Sequence, residues 1–122
     1  MSSVVLIFFG GAFGAVARYL MARWVDEQTN ATLPLGTLAV NILGCFLIGW
    51  LHGMGAYVAG KLELFLSVGF IGAFTTFSTL SYETLRLLEE GSFAEAFWNP
   101  VLSVLLGLFF VALGDAVGRF HP

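Results

Sequence analysis

The chain has 122 residues, 58% of them hydrophobic and only 11% charged, with a mean hydropathy of +0.90. A soluble domain carries about a quarter charged residues, so this composition excludes a water-facing surface and makes bilayer lipid the fitting solvent. Net charge is −3 with scattered basic residues, so no nucleic-acid-binding face is visible, and the single cysteine, Cys45, excludes an intramolecular disulfide.

A spanning helix needs about 20 mostly apolar residues, and four stretches meet that length. The first runs from Val4 to about Arg23 and stops at Asp26 and Glu27. No Lys or Arg precedes it in Met1 to Ser3, so it reads as a retained span rather than a cleaved signal peptide. After the polar connection Gln28 to Thr32, Pro34 opens the second span, Leu35 to about His52. A glycine-rich connection, Gly53 to Gly60, leads to the third span from about Leu62 to Leu88, closed by Glu89, Glu90 and Gly91. The fourth extends from about Phe97 to Gly118. Short connections make one all-α four-helix membrane domain of the whole chain.

Orientation in a membrane follows Lys and Arg in short loops. One side collects Lys61 and Arg119, the other Arg23 and Arg86, with Arg18 near a span end making it only three against two. Such balance predicts insertion in both orientations, paired as an antiparallel dimer. Gly10 and Gly14, Gly49 and Gly53, and Gly114 and Gly118 are each four apart, with Gly107 extending the last set. These predict close helix packing.

Several polar groups lie within spans. Arg18 has three readings: snorkelling to the interface, a buried structural role, or attraction of an anion. Thr37 and Asn41 share a face of the second span with Gly44. The Asn41 amide serves either as helix glue or as a neutral donor toward a pore. In the third span, Gly69 to Ser81 reads Gly-Phe-Ile-Gly-Ala-Phe-Thr-Thr-Phe-Ser-Thr-Leu-Ser. Glycine, β-branched threonine and competing hydroxyls predict a helix break near the membrane centre, tolerated only inside protein or beside a cavity. Phe77, among Thr75, Thr76, Ser78 and Thr79, is packing or offers its positive ring edge to an anion. Glu83 with Arg86, and Asp115 with Arg119, have the spacing of local helix pairs. His52 and His121 lie at span ends without ligand-like spacing, and no enzymatic motif is present.

Gly10-Gly11 through Gly14 to Arg18, Gly36-Thr37-Leu38 with Val40-Asn41, and Thr75-Thr76-Phe77-Ser78-Thr79 together resemble the CrcB/Fluc fluoride channels. The resemblance covers nearly the whole chain and implies a dual-topology antiparallel homodimer with two pores. It also implies a central sodium ion (Na+) held by the backbone carbonyls of Gly72 and Thr75 of each subunit. Asn41, Thr37 and Phe77 take pore positions, and Leu80 stands where a second pore phenylalanine is expected. Ser103 matches one hydroxyl of a fourth-helix track, flanked by Asn99 and Gly107 in place of its neighbours, and Glu83 matches an acidic position. The expected function is passive export of fluoride across a bacterial inner membrane, with neutral donors on Asn41, Thr37, Ser78, Thr79 and Ser103 replacing water. Arg18 and Glu83 take structural or electrostatic roles. The competing reading, a small dual-topology drug or guanidinium exporter, requires a membrane-embedded carboxylate that the first span lacks.

Overall fold

The structure, a computed structural model, describes residues 1–55 and 58–120; His121 and part of the connection after the second span lie outside them. The elements are α1 (Ser3–Glu27), α2 (Leu35–Met54), α3 (Lys61–Glu63), a π-helical stretch (Leu64–Ile71), α4 (Gly72–Phe74), α5 (Phe77–Glu89) and α6 (Phe93–Arg119). No strand occurs among the described residues. Four segments are long and apolar enough to cross a membrane, with Lys61–Glu89 counting as one. The chain is thus an all-α, multi-pass membrane protein.

Two ends run past their expected limits. Helix α1 continues to Glu27, where Arg23 Nε donates to Glu27 Oε1 at 2.8 Å across one helical turn. Helix α6 begins at Phe93 and carries Pro100 inside it. Proline tolerates this by forgoing one backbone bond.

Glycine builds the bundle. On α2, Cβ atoms placed at Gly49 and Gly53 would run into the carbonyls of Val111 and Asp115. On α6, those at Gly114 and Gly118 would strike the carbonyls of Phe46 and Trp50. Each helix therefore lays its backbone into the other's glycine groove. That is the close approach on which membrane helices depend when no water drives them together. Gly10 and Gly14 of α1 do the same against the backbone of Phe65 and Phe70. The glycine spacings read from the sequence are packing devices, as expected. The π-helical stretch, which the sequence did not reveal, has the Gly72 N–H reaching back to the carbonyls of Ser67 and Gly69. It presents its own Gly69 to Gly10, so glycine meets glycine there.

The α1–α2 connection is tied by a carboxylate. Pro34, the N-cap of α2, supplies no side-chain cap, and Asp26 Oδ1 instead accepts the Gly36 N–H at 2.8 Å. A capping acceptor contributes about 1 kcal/mol. Asp26→Ala is expected to lower stability by about that amount, read as an earlier thermal unfolding midpoint in detergent, while Asp26→Asn keeps the acceptor and most of the stability. An unchanged midpoint for Asp26→Ala would remove the cap.

Candidate functional site

The third span breaks where two threonines adjoin. Thr75 (φ −87°, ψ 157°) and Thr76 (φ −150°, ψ 114°) are extended, the conformation β-branched residues favour. Thr76 then caps α5, its Oγ1 accepting the Thr79 N–H at 3.2 Å. The expected break is present. Helix α2 closes it through one side chain: Asn41 Oδ1 accepts the Thr76 N–H at 2.7 Å, and Asn41 Nδ2 donates to the Thr76 carbonyl at 3.1 Å. An asparagine amide can replace a peptide in this way because it carries one acceptor and two donors. One of its two N–H groups remains beyond the Thr76 bond.

The shared face of α2 meets the third span as expected. The hydroxyl of buried Thr37 donates to Glu83 Oε1 at 2.7 Å. A Cβ at Gly44 would fall on Thr75 Cγ2, so glycine is what lets the broken segment approach α2.

Two cavities flank the Asn41–Thr76 tie. Toward the end where α1 finishes and α2 begins, a cavity of about 540 Å³ includes Arg18, Asp26, Thr37, Thr76, Thr79 and Glu83 in its wall. On the other side, a groove of about 480 Å³ is lined by Asn41, Ser67, Gly72, Thr75, Phe77 and Ser103 among others. Thr76 belongs to both walls. The polar residues singled out on four different segments therefore gather in the walls of these two cavities.

The placements differ in detail. Arg23, Arg86 and Arg119 pair with Glu27, Glu90 and Asp115, whereas Arg18 makes no ion pair among the described residues and lines the larger cavity. The Asp115–Arg119 pair is present at 2.7 Å. The local Glu83–Arg86 pair is not formed. Arg86 turns to Glu90 and to the Tyr82 hydroxyl, because Glu83 points inward to Thr37. Phe77 is 82% exposed on the outer face of the break, while Leu80 is 8% exposed and packs inside. Both line the groove.

Hydroxyl orientation sorts the candidate donors. Thr75 and Ser103 give their protons to the carbonyls of Ile71 and Asn99 one turn back. Thr76 Oγ1 donates to Thr79 Oγ1 at 3.0 Å, so Ser78, 3.3 Å from Thr76 Oγ1, is the donor in that second pair. The Thr79 proton then remains available at the larger cavity. Two polar residues outside the initial candidate set also matter. Thr76 is the pivot of the break, and an N-cap signal, threonine three residues before Thr79, was there to be read. Fully buried Asn99 donates to Thr84 Oγ1 at 3.0 Å, a contact with no signature in local spacing.

The break also liberates carbonyls. In a continuous helix the Thr76 N–H would donate to Gly72, but Asn41 has taken it. The Thr75 carbonyl lies in extended backbone at the helix end. Gly72 is exposed, on the outward side with Phe77 and Ser78. Neutral carbonyl oxygens of this kind suit a hard monovalent cation such as sodium. The two carbonyls of one subunit supply only part of the coordination shell of such an ion.

Comparison with known proteins places this architecture. The family profile described as CrcB-like protein, Camphor Resistance (CrcB), matches residues 5–115. Among curated relatives, the fluoride-specific ion channel FluC 1 of Geobacillus kaustophilus is 44% identical over 119 residues, covering 98% of this chain and 100% of the relative. The fluoride-specific ion channel FluC of Shewanella frigidimarina is 42% identical over 117 residues, covering 94% of each chain. A profile spanning all four membrane helices, together with relatives matched almost end to end, shows that the chain belongs to the CrcB-like family.

Proposed function

We propose that the chain is a subunit of a fluoride-selective channel that lets the ion leave the cytoplasm passively. The observation that carries this reading is the alignment of Arg18, Thr79, Asn41 and the Phe77 ring along cavities on both sides of the broken third span. Its support from relatives is their printed name, fluoride-specific ion channel, at 42–44% identity.

The chemistry follows from what a small anion loses on entering a membrane. Fluoride must exchange water for donors, since an unpaired charge in hydrocarbon is prohibitively costly. Arg18 supplies a cationic approach at the larger cavity, and the Thr79 hydroxyl and the second Asn41 N–H offer neutral donors farther in. Phe77 adds the positive edge of its ring. Neutral donors bind well enough to admit the ion and weakly enough to release it. The Thr37–Glu83 bond fixes α2 against α5.

The working unit is an antiparallel homodimer in the bacterial inner membrane. Gly72, Phe77 and Ser78 are exposed beside freed carbonyls, and such backbone is not tolerated against lipid. A second copy inserted in the opposite sense would cover it, in keeping with the balanced loop charges. A sodium ion (Na+) bound by the Gly72 and Thr75 carbonyls of both copies would neutralise the oxygens at that crossing.

Purified protein in liposomes loaded with fluoride is expected to release it on addition of a potassium ionophore, while chloride is retained. Failure of well-folded protein to pass fluoride would overturn the assignment.

A further inference from the structure

Resting on the channel reading, we propose that Ser67 is a permeation residue, the hydroxyl that carries the anion from the mid-membrane groove to the membrane face bearing the chain's N-terminus. The groove holding Asn41 and Phe77 does not end at the break. Ser67 and Ile48 line it and also line a further cavity of about 420 Å³, whose walls include His52, Gly55 and Glu63. These last residues belong to the end of α2 and the start of the third span. The two cavities therefore meet at a neck formed by one serine and one isoleucine. With the Arg18 cavity on the opposite side of the Asn41–Thr76 tie, they make a succession of spaces through one subunit.

Hydrogen-bond bookkeeping singles out this serine. An anion needs protons pointing at it, and most span hydroxyls here have committed theirs. Thr75, Ser81, Thr84 and Ser103 donate to the carbonyl one turn back, and Thr37 donates to Glu83. Two of these, Thr75 and Ser103, face the groove and present it with oxygen lone pairs. Ser67 makes no hydrogen bond among the described residues and is half-buried. It stands within the π-helical stretch Leu64–Ile71. Ile48, Ile71 and Leu51 in these walls are aliphatic, and Cys45, one turn before Ile48, offers only a weak thiol donor. Ser67 is thus the donor between the amide and the mouth.

The wall of the mouth includes His52 and the acidic Glu63. Asp115 and Arg119 also share a separate cavity with His52 on the α6 side.

The test is fluoride efflux from liposomes containing the full-length protein. Ser67→Ala is expected to slow efflux about tenfold, the scale of one hydrogen bond to an ion, and Ser67→Thr to restore most of it. Ser67→Phe, which plugs the neck, is expected to abolish efflux while the protein elutes as wild type by size exclusion. Ser81→Ala, an exposed hydroxyl on α5 away from these cavities, is the control and is expected to conduct normally. Wild-type rates in folded Ser67→Ala and Ser67→Phe would overturn the role of Ser67 and leave the channel assignment standing. Absence of fluoride efflux from the wild-type protein would overturn the assignment on which it rests.

Discussion

Asn41→Leu is expected to reduce fluoride flux by about a hundredfold, more than any other single polar substitution in the chain. Hydrogen bonds to a charged group are worth roughly 1.5–3 kcal/mol, and about 2.8 kcal/mol is a factor of 100. Leucine removes the donor facing the groove and also strips the Thr76 N–H and carbonyl of their partner. Those two backbone groups, half in the protein and half beside a cavity, would be left bare at a cost of about 1–3 kcal/mol each. Asn41→Asp separates the effects. The carboxylate still accepts the Thr76 N–H, yet it donates nothing and places a negative charge on the anion's path. Its flux is expected to fall as far as that of leucine, while the Thr76 N–H keeps its acceptor and the Thr76 carbonyl loses its donor. Wild-type efflux from folded Asn41→Asp would show that the amide serves only the helix break.

Gly114→Leu is expected to prevent assembly of the bundle altogether, seen as loss of a monodisperse peak in detergent. Any Cβ at Gly114 would meet the Phe46 carbonyl and lie 2.8 Å from the Trp50 nitrogen. Both are backbone atoms, unable to move aside without shifting α2. Overpacking in a tight core costs about 1–3 kcal/mol and sometimes more, and here the whole α2–α6 seam must open. Gly107 supplies the contrast on the same helix. A Cβ there lies 3.2 Å from Cys45 Sγ, a side-chain atom that can yield by a few tenths of an ångström. Gly107→Ala is expected to fold normally. Equal behaviour of the two variants would mean that the glycine groove does not hold the helices together.

The two substitutions test different layers of the molecule. Gly114 lies where helices touch, and its effect is on whether a bundle exists. Asn41 lies where a helix has been opened on purpose, and its effect is on what the opening does. The extended Thr75–Thr76 pair joins the layers. Its threonines disfavour a continuing helix, Gly44 leaves room for it, and Asn41 satisfies the backbone it exposes. Remove any of the three and the exposed peptide groups lose either their space or their partners.

From the sequence alone came the membrane class, the four spans, the glycine grooves and the break among the hydroxyl residues. All of these depend on forces acting within a few neighbouring residues: apolar length against bilayer thickness, glycine spacing over one turn, and the local conflict between threonine and helix. Tertiary structure alone settled where side chains spend their hydrogen bonds. Glu83 sits three residues from Arg86 yet binds Thr37, 46 positions away, because the inward face of α5 is decided by packing and not by spacing. The π-helical register of Leu64–Ile71 was equally hidden, since it arises where Gly10 and Gly14 press the backbone of another span. Chain-local energies choose the elements; the direction of each proton depends on which helix happens to lie alongside, and that is information no short window of residues contains.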